Sequence, residues 1–350
     1  MAGGKGERFW PRSRNSWPKQ LQKVYSNQTL LDETIDRALR LTKLEHIYIG
    51  CNAELKKAIL KSHQRIRPQQ FIVEPQGRNT APIIALAALH FEKKYTDCIQ
   101  VILSADHYIA PLQEFQQSLA RAIKLASGGR LVTLGVRPSR PETGYGYIQK
   151  GRALSGFDFA YHIKSFREKP DLKTAMGYLR KAEHYFWNSG IFIWRTSDIL
   201  KEFEKHADEI IAPLQAAFQS PSRLKKVFPE IPALPVDIAI MEKSKNLAMV
   251  PAGFVWDDVG AWTALQRVLP CDPDNNVILG TGKPNQLQVL ESSSNTVVSA
   301  RPLVALLGVN DLVVVEEDDV LFISQKLSLD KIKKFMAQMK TNPALQKYFR

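Results

Sequence analysis

The 350-residue chain is 44% hydrophobic and 24% charged, with a formal net charge of +13. This suits one large domain with a smaller one beside it and excludes a disordered or fibrous protein. No run approaches the roughly 18 apolar residues of a membrane span, and the first residues form no apolar signal region, so a cytoplasmic protein with no membrane partner is expected. The basic residues are spread through stretches such as Glu54–Arg67 rather than gathered with aromatics, which favours a small anionic substrate over nucleic acid. Cys51, Cys98 and Cys271 lack metal-ligand spacing and read as free thiols.

The chain opens with Gly3, Gly4 and Gly6, followed by Arg8 and, after an aromatic-proline turn, Lys19. Glycines let successive N–H groups converge on one point, and such a nest with two cations suits a polyphosphate. A solvated, glycine-rich start is the competing reading of these residues alone. Next come a helix over Leu30–Leu44, a strand over Ile47–Cys51, a helix over Glu54–His63 and a strand over Gln70–Val73. A helix over Thr80–Lys94, a strand over Ile99–Leu103, a helix over Leu112–Ala126 and a strand over Leu131–Val136 follow. Strands separated by helices of this length predict βαβ crossovers and a mostly parallel sheet covered on both faces. Ligands bind such sheets at the carboxyl ends of strands, where Glu74-Pro75 and Ala105-Asp106-His107 fall.

Strands are then expected over Tyr145–Gln149, Tyr161–Arg167 and Ser189–Trp194, and helices over Leu172–Lys181, Ser197–Phe218 and Trp256–Leu269. Beyond Cys271 the pattern changes to short strands separated by turn signals, from Asn276–Leu279 to Val320–Ile323, closed by a helix over Leu329–Met339. The expected division is therefore a catalytic domain over residues 1–270 and a C-terminal β module over residues 271–350. A glycine-rich phosphate loop normally leaves a buried apolar strand, yet only Met1 and Ala2 precede Gly3. A start lying downstream of the true one is the expectation.

Seven blocks stand in order: AGGKGERFWPRSR with PKQ, EPQGRNTAP (Glu74–Pro82), SADH (Ser104–His107), GYGYI (Gly144–Ile148), FREKP (Phe166–Pro170), FWNSGIFIW (Phe186–Trp194) and WDDVGAW (Trp256–Trp262). With them the chain resembles the sugar-1-phosphate nucleotidylyltransferases, and among these the bacterial mannose-1-phosphate guanylyltransferases. The resemblance implies an α/β fold with a Rossmann-like mixed or parallel sheet and a small C-terminal module like a partial β-helix. It implies transfer of GMP from GTP to mannose 1-phosphate, with Mg²⁺ as cofactor and a homodimer as the assembly. It assigns Arg8 and Lys19 to catalysis on the phosphates. Ala2, Gly3, Gly4, Gly6, Glu74, Pro75, Gly77, Asn79, Thr80 and Ser104 go to nucleotide binding. Gly144, Tyr145, Glu168, Lys169 and Asn188 go to the sugar phosphate.

The same resemblance makes Asp106 and Asp258 the metal ligands. Asp257 is the confounder, and Asp258 is preferred because it precedes Val-Gly as the family's metal aspartate does. Asn79 or Thr80 also suits a helix N-cap. His107 reads as a positioning residue, because an ionised phosphate nucleophile needs no general base. Trp10, Trp187, Trp194, Trp256 and Trp262 read as packing residues. Two alternatives stay open: the same chemistry on another sugar 1-phosphate such as a heptose, and a non-catalytic regulatory subunit that binds a nucleotide sugar.

Overall fold

The computed structural model describes residues 1–4, 6–15, 17–63, 65–280 and 286–349. In chain order the first elements are α1 (Leu30–Leu39), β1 (Ile49–Asn52), α2 (Ala53–Ser62), β2 (Phe71–Glu74), α3 (Thr80–Lys94), β3 (Ile99–Ile102), β4 (Tyr108–Ala110), α4 (Leu112–Ser127) and β5 (Leu131–Val136). Then come β6 (Tyr147–Ala153), β7 (Tyr161–Arg167), α5 (Leu172–Leu179), β8 (Tyr185–Arg195), α6 (Thr196–His206), α7 (Asp208–Ala217), α8 (Pro221–Val227), β9 (Leu247–Pro251) and β10 (Val255–Asp257). The last are α9 (Leu265–Val268), β11 (Val277–Gly280), β12 (Gln286–Leu290), β13 (Thr296–Ser299), β14 (Leu303–Leu307), β15 (Leu312–Glu317), β16 (Val320–Gln325) and α10 (Ile332–Lys340).

They form two compact units. The first comprises Met1–Gly3, Arg37–Ser104 and Ile109–Trp256; the second comprises Gly4–Asp36, Ala105–Tyr108 and Asp257–Arg350. In the first unit a six-stranded sheet runs in the order β3-β8-β5-β9-β7-β6. Only β5–β9 is parallel; β8 pairs antiparallel with β3, β5 and β6, and β7 antiparallel with β6 and β9. The expectation of a mostly parallel sheet is therefore corrected to a mixed one. Hydrophobic periodicity finds strands but not the direction of their pairing, and antiparallel neighbours such as β6 and β7 need only a short connection.

Both faces of this sheet are covered. Strand β5 sends Leu131 into a core with Ile84 of α3, Phe203 of α6 and Leu214 of α7. Its Val132, Leu134 and Val136 enter the opposite core with Phe115, Leu119 and Leu125 of α4. The expected helix over Ser197–Phe218 is two helices, broken at Ala207, which leaves the helical region at φ −149°. The β1–β2 pair forms a separate parallel sheet. The Met1 amino group donates to the Leu103 carbonyl at 2.6 Å, and the Ala2 N–H to the Gly50 carbonyl in β1 at 2.9 Å.

In the second unit β11, β13 and β15 pair in parallel, β12 pairs in parallel with β14, and β16 closes β15 as an antiparallel partner. The turn into each of β11, β13 and β15 is made by a polar residue at positive φ: Asn275 (62°), Ser294 (57°) and Asp311 (55°). Asn and Asp tolerate this left-handed geometry better than most residues. Inside the turns, Asn276 and Asn295 form a ladder. The buried Asn295 amide donates to Asn276 Oδ1 and to the Val309 carbonyl, while its Oδ1 accepts from the Leu312 N–H. The inward valines of these strands pack with Phe9, Val24 and Trp262. The expected helix over Trp256–Leu269 is confined to a 3₁₀ turn at Trp262–Ala264 and the short α9. Replacing Asn295 by Ala should destabilise the protein by about 2–3 kcal/mol, because it strands buried backbone and side-chain groups on two neighbouring turns; denaturant unfolding measures this.

Candidate functional site

Within the second unit, the residues from Gly6 onward fold into a tight turn. Gly6 sits at φ 61° and accepts the Phe9 N–H, opening a 3₁₀ turn at Glu7–Phe9 that carries Arg8. A Cβ on Gly6 would lie 2.5 Å from Lys19 Cβ and 2.7 Å from Ser13 Oγ, so this glycine is required by space as well as by backbone angle. Pro18 then caps a second 3₁₀ turn, Lys19–Leu21, whose three side chains are all buried.

The buried Lys19 ammonium is the centre of the arrangement. Its side chain is 6% exposed and reaches Asp106 Oδ2 at 2.8 Å, the Asp258 carbonyl at 3.2 Å and the face of the Phe9 ring at 5.3 Å. Burial by itself would raise the Asp106 carboxyl, but the charge of Lys19, that of His107 and the Lys19 hydrogen bond together hold it below the usual range. Gly6, Arg8, Lys19, Asp106 and Asp258 line one cavity of about 280 Å³. His107, Gly260 and two residues outside the sequence expectations, Glu7 and Lys333, complete its wall.

Geometry separates the two neighbouring aspartates. The buried Asp257 is held by Arg267 through contacts of 2.6 and 3.0 Å and accepts the Val259 N–H. Its carboxylate is thus committed to the frame. Asp258 accepts the Gly260 N–H at 3.1 Å and belongs to the cavity wall. Between them the buried Val259 is held at φ 44°, a costly angle for a β-branched residue that the surrounding bonds enforce.

In the first unit the expected base-reading segment follows β2. Asn79 caps α3, its side chain accepting the Thr80 N–H, and Thr80 Oγ1 accepts the Val236 N–H. Pro75 and Gly77 are exposed, and Ser104 is partly buried. Glu74 is only 7% exposed, and its Oε2 has no hydrogen-bond partner. Desolvation pushes its carboxyl up to about 7, against one backbone hydrogen bond from Arg78. The Ala2 N–H is already given to Gly50, Gly3 and Gly4 are exposed, and Gly4 takes φ 92°.

The expected sugar-phosphate residues also gather in the first unit. The β5–β8 ladder shifts register between Thr133 and Gly135, placing Gly135 opposite Asn188. Such bulges re-aim side chains. Here the Asn188 amide takes the Thr133 hydroxyl on Oδ1 at 2.9 Å and donates from Nδ2 to Asp237 Oδ1 at 2.8 Å. Asp237 begins a π-helical turn, and burial with the nearby Glu168 charge pushes its carboxyl up to about 7. Glu168 pairs with Lys169 at 2.7 Å, and a Cβ on Gly146 would meet Glu168 Oε2 at 2.7 Å. The exposed Gly144 donates its N–H to Glu142 Oε1 at 3.0 Å. Tyr145 is mainly a packing residue, edge-on to Trp187 and Trp256 with its hydroxyl bonded to Arg140. Asp237 and Glu242, whose carboxylate takes the Glu168 N–H, were missed by sequence reasoning. Only their placement against Asn188 and Glu168 singles them out.

A nucleotidyl transferase family model matches residues 1–274 of this chain. A mannose-1-phosphate guanylyltransferase of Klebsiella pneumoniae is 37% identical over 352 residues, covering 98% of this chain and 73% of that protein. The xanthan biosynthesis protein XanB of Xanthomonas campestris is 34% identical over 97% of this chain and 72% of its own length. A Thermus thermophilus crystal structure described as a mannose-1-phosphate geranyltransferase superposes with a TM-score of 0.88 at 32% identity, over 97% of this chain and 98% of that one. The chain belongs to the mannose-1-phosphate guanylyltransferase family of nucleotidyl transferases. Gly6→Ala should remove most activity and cost about 1–3 kcal/mol of stability, since the new methyl collides with Lys19 at a disfavoured φ; steady-state rates and thermal unfolding check both.

Proposed function

We propose that this protein transfers GMP from GTP to mannose 1-phosphate, releasing pyrophosphate and forming GDP-mannose. The observation that carries the reading is that Arg8, Lys19, Asp106 and Asp258, remote from one another in sequence, line one cavity. A phosphate oxygen of the sugar attacks the α-phosphorus of GTP in line. The new P–O bond forms as the bond to the β-phosphate oxygen breaks, and the electron pair leaves with pyrophosphate. The nucleophile is already ionised, so the protein has to align the two phosphates and neutralise charge rather than move a proton. The loop amides and Arg8 hold the β- and γ-phosphates, and Lys19, anchored by Asp106, meets the α-phosphate.

Asp106 and Asp258 fit a divalent metal. Magnesium is usually held by one or two carboxylates with substrate phosphates and water filling its remaining positions, and Asp257 is excluded by its bonds to Arg267. Mg²⁺ bound there would neutralise charge on the phosphate oxygens. In the first unit the unpartnered Glu74 Oε2 suits the N1–H and amino donors of guanine, which adenine does not present in that pattern. Glu168, with Asn188 oriented by Thr133 and Asp237, suits sugar hydroxyls, and Lys169 suits the sugar phosphate. The parallel registers from Val277 to Val315 support reading the C-terminal strands as turns of a partial β-helix.

Pyrophosphate release should require GTP with mannose 1-phosphate and fall to background with ATP or with glucose 1-phosphate. Asp106→Asn should lower the rate by about 10²-fold or more. Equal release with glucose 1-phosphate would overturn the sugar assignment. Glu74 also predicts a pH effect on stability. Its carboxyl is pushed above the unfolded value, so the folded state binds the extra proton and loses stability as pH rises through the interval up to about 7. Glu74→Gln should therefore be more stable than the parent at pH 8 by about 1–3 kcal/mol and equal to it near pH 4, while GTP is bound more weakly. Melting curves at the two pH values measure the difference.

A further inference from the structure

The cavity that holds Lys19 and Asp106 has a wall that the amino-terminal motifs do not supply. Lys333, from the C-terminal helix α10, lines it beside Arg8, and the proposal built on it rests on the reading of this cavity as the triphosphate site. Helix α10 is fixed against the signature loop itself. Ile332 and Met336 are buried in one cluster with Trp10 and Phe349. The Trp10 indole N–H donates to the Tyr348 carbonyl at 3.1 Å, and its ring stacks on Phe349 at 5.9 Å. Lys333, Met336 and Lys340 stand at i, i+3 and i+7, and so share one stripe of the helix.

Charge in the cavity can be followed residue by residue. Lys19 is paired with Asp106 at 2.8 Å, and Glu7 is met by Lys340 at 3.8 Å. Arg8 and Lys333 enter no ion pair among the described residues. A triphosphate carries several negative charges close together, and placing them beside three lining carboxylates favours a second cation, free of an ion pair, next to Arg8 for the outer phosphates. A lysine supplies a mobile point charge suited to the outermost phosphates, which are also the ones that leave.

We propose that Lys333 is a binding residue for the terminal phosphates of the nucleoside triphosphate, so that the C-terminal helix completes a site otherwise built from the amino-terminal loop and the segments of Asp106 and Asp258. The contact is made to the part of the nucleotide lost in the reaction. Lys333 should therefore matter for GTP and pyrophosphate and not for GMP.

The test is calorimetric binding of GTP, pyrophosphate and GMP to the full chain and to three variants. Lys333→Ala should weaken GTP and pyrophosphate about tenfold, as expected for one charge-assisted contact, and leave GMP unchanged. Lys333→Arg should restore most of the affinity. Lys334→Ala, an exposed neighbour on the same helix, should bind all three as the parent does. In turnover, Lys333→Ala should raise KM for GTP with little change in kcat. Unchanged GTP affinity in Lys333→Ala, or equal weakening of GTP and GMP, would overturn the proposal while leaving the transferase reading intact. A parent protein that binds neither GTP nor pyrophosphate would overturn both.

Discussion

The buried ion pair between Lys19 and Asp106 is the constraint on which the candidate phosphate site depends. Lys19 is almost wholly buried and Asp106 only partly exposed, so each charge is tolerable only because the other is 2.8 Å away. Removing one partner would leave an uncompensated charge in a poorly solvated place, which is far costlier than losing a surface pair. The pair also sets local shape. Lys19 can turn inward only because Gly6 has no side chain at the point where the two segments cross, and because Pro18 presets the turn that buries it.

That loop is held from outside its own segment by the C-terminal part of the second unit. Arg12 meets Glu317 at 2.7 Å, Arg14 meets Asp319, and the Trp262 indole N–H donates to the Trp10 carbonyl at 3.0 Å. Aromatic packing of Trp10 on Phe322 and Phe349 adds an apolar anchor. Trp10, Arg12 and Arg14, which follow the glycines, are thereby tied to partners some three hundred residues downstream. The loop and the C-terminal strands belong to one compact unit and share its apolar core.

In the first unit the equivalent constraint is the irregular ladder between β5 and β8. A regular ladder would alternate Asn188 with its neighbours without regard to the amide's orientation. The shift at Gly135 and the bonds to Thr133 and Asp237 fix which end of the amide accepts and which donates. Two carboxyls of this unit, Asp237 beside the ladder and Glu74 at the end of β2, are held above their ordinary range chiefly by burial.

Much of this was legible in the sequence. Strand and helix periodicity located most elements of the first unit, the short strands after Cys271 were visible from their turn signals, and the seven blocks pointed to the family. The tryptophans read as packing residues are indeed buried. What the linear pattern could not carry is anything that depends on direction or on partners distant in the chain. The antiparallel pairings of β8 escaped it because side-chain alternation is the same in either direction. Asp257 and Asp258 were told apart in the sequence only through the resemblance, and the bonds of Asp257 to Arg267 give a physical difference between them. Lys333 reads as an ordinary exposed lysine on an amphipathic helix, and Asp237 as an acid after a proline-rich turn. Sequence fixes which groups are available, but charge balance and hydrogen-bond geometry act through space, so the tertiary fold alone decided which of them meet.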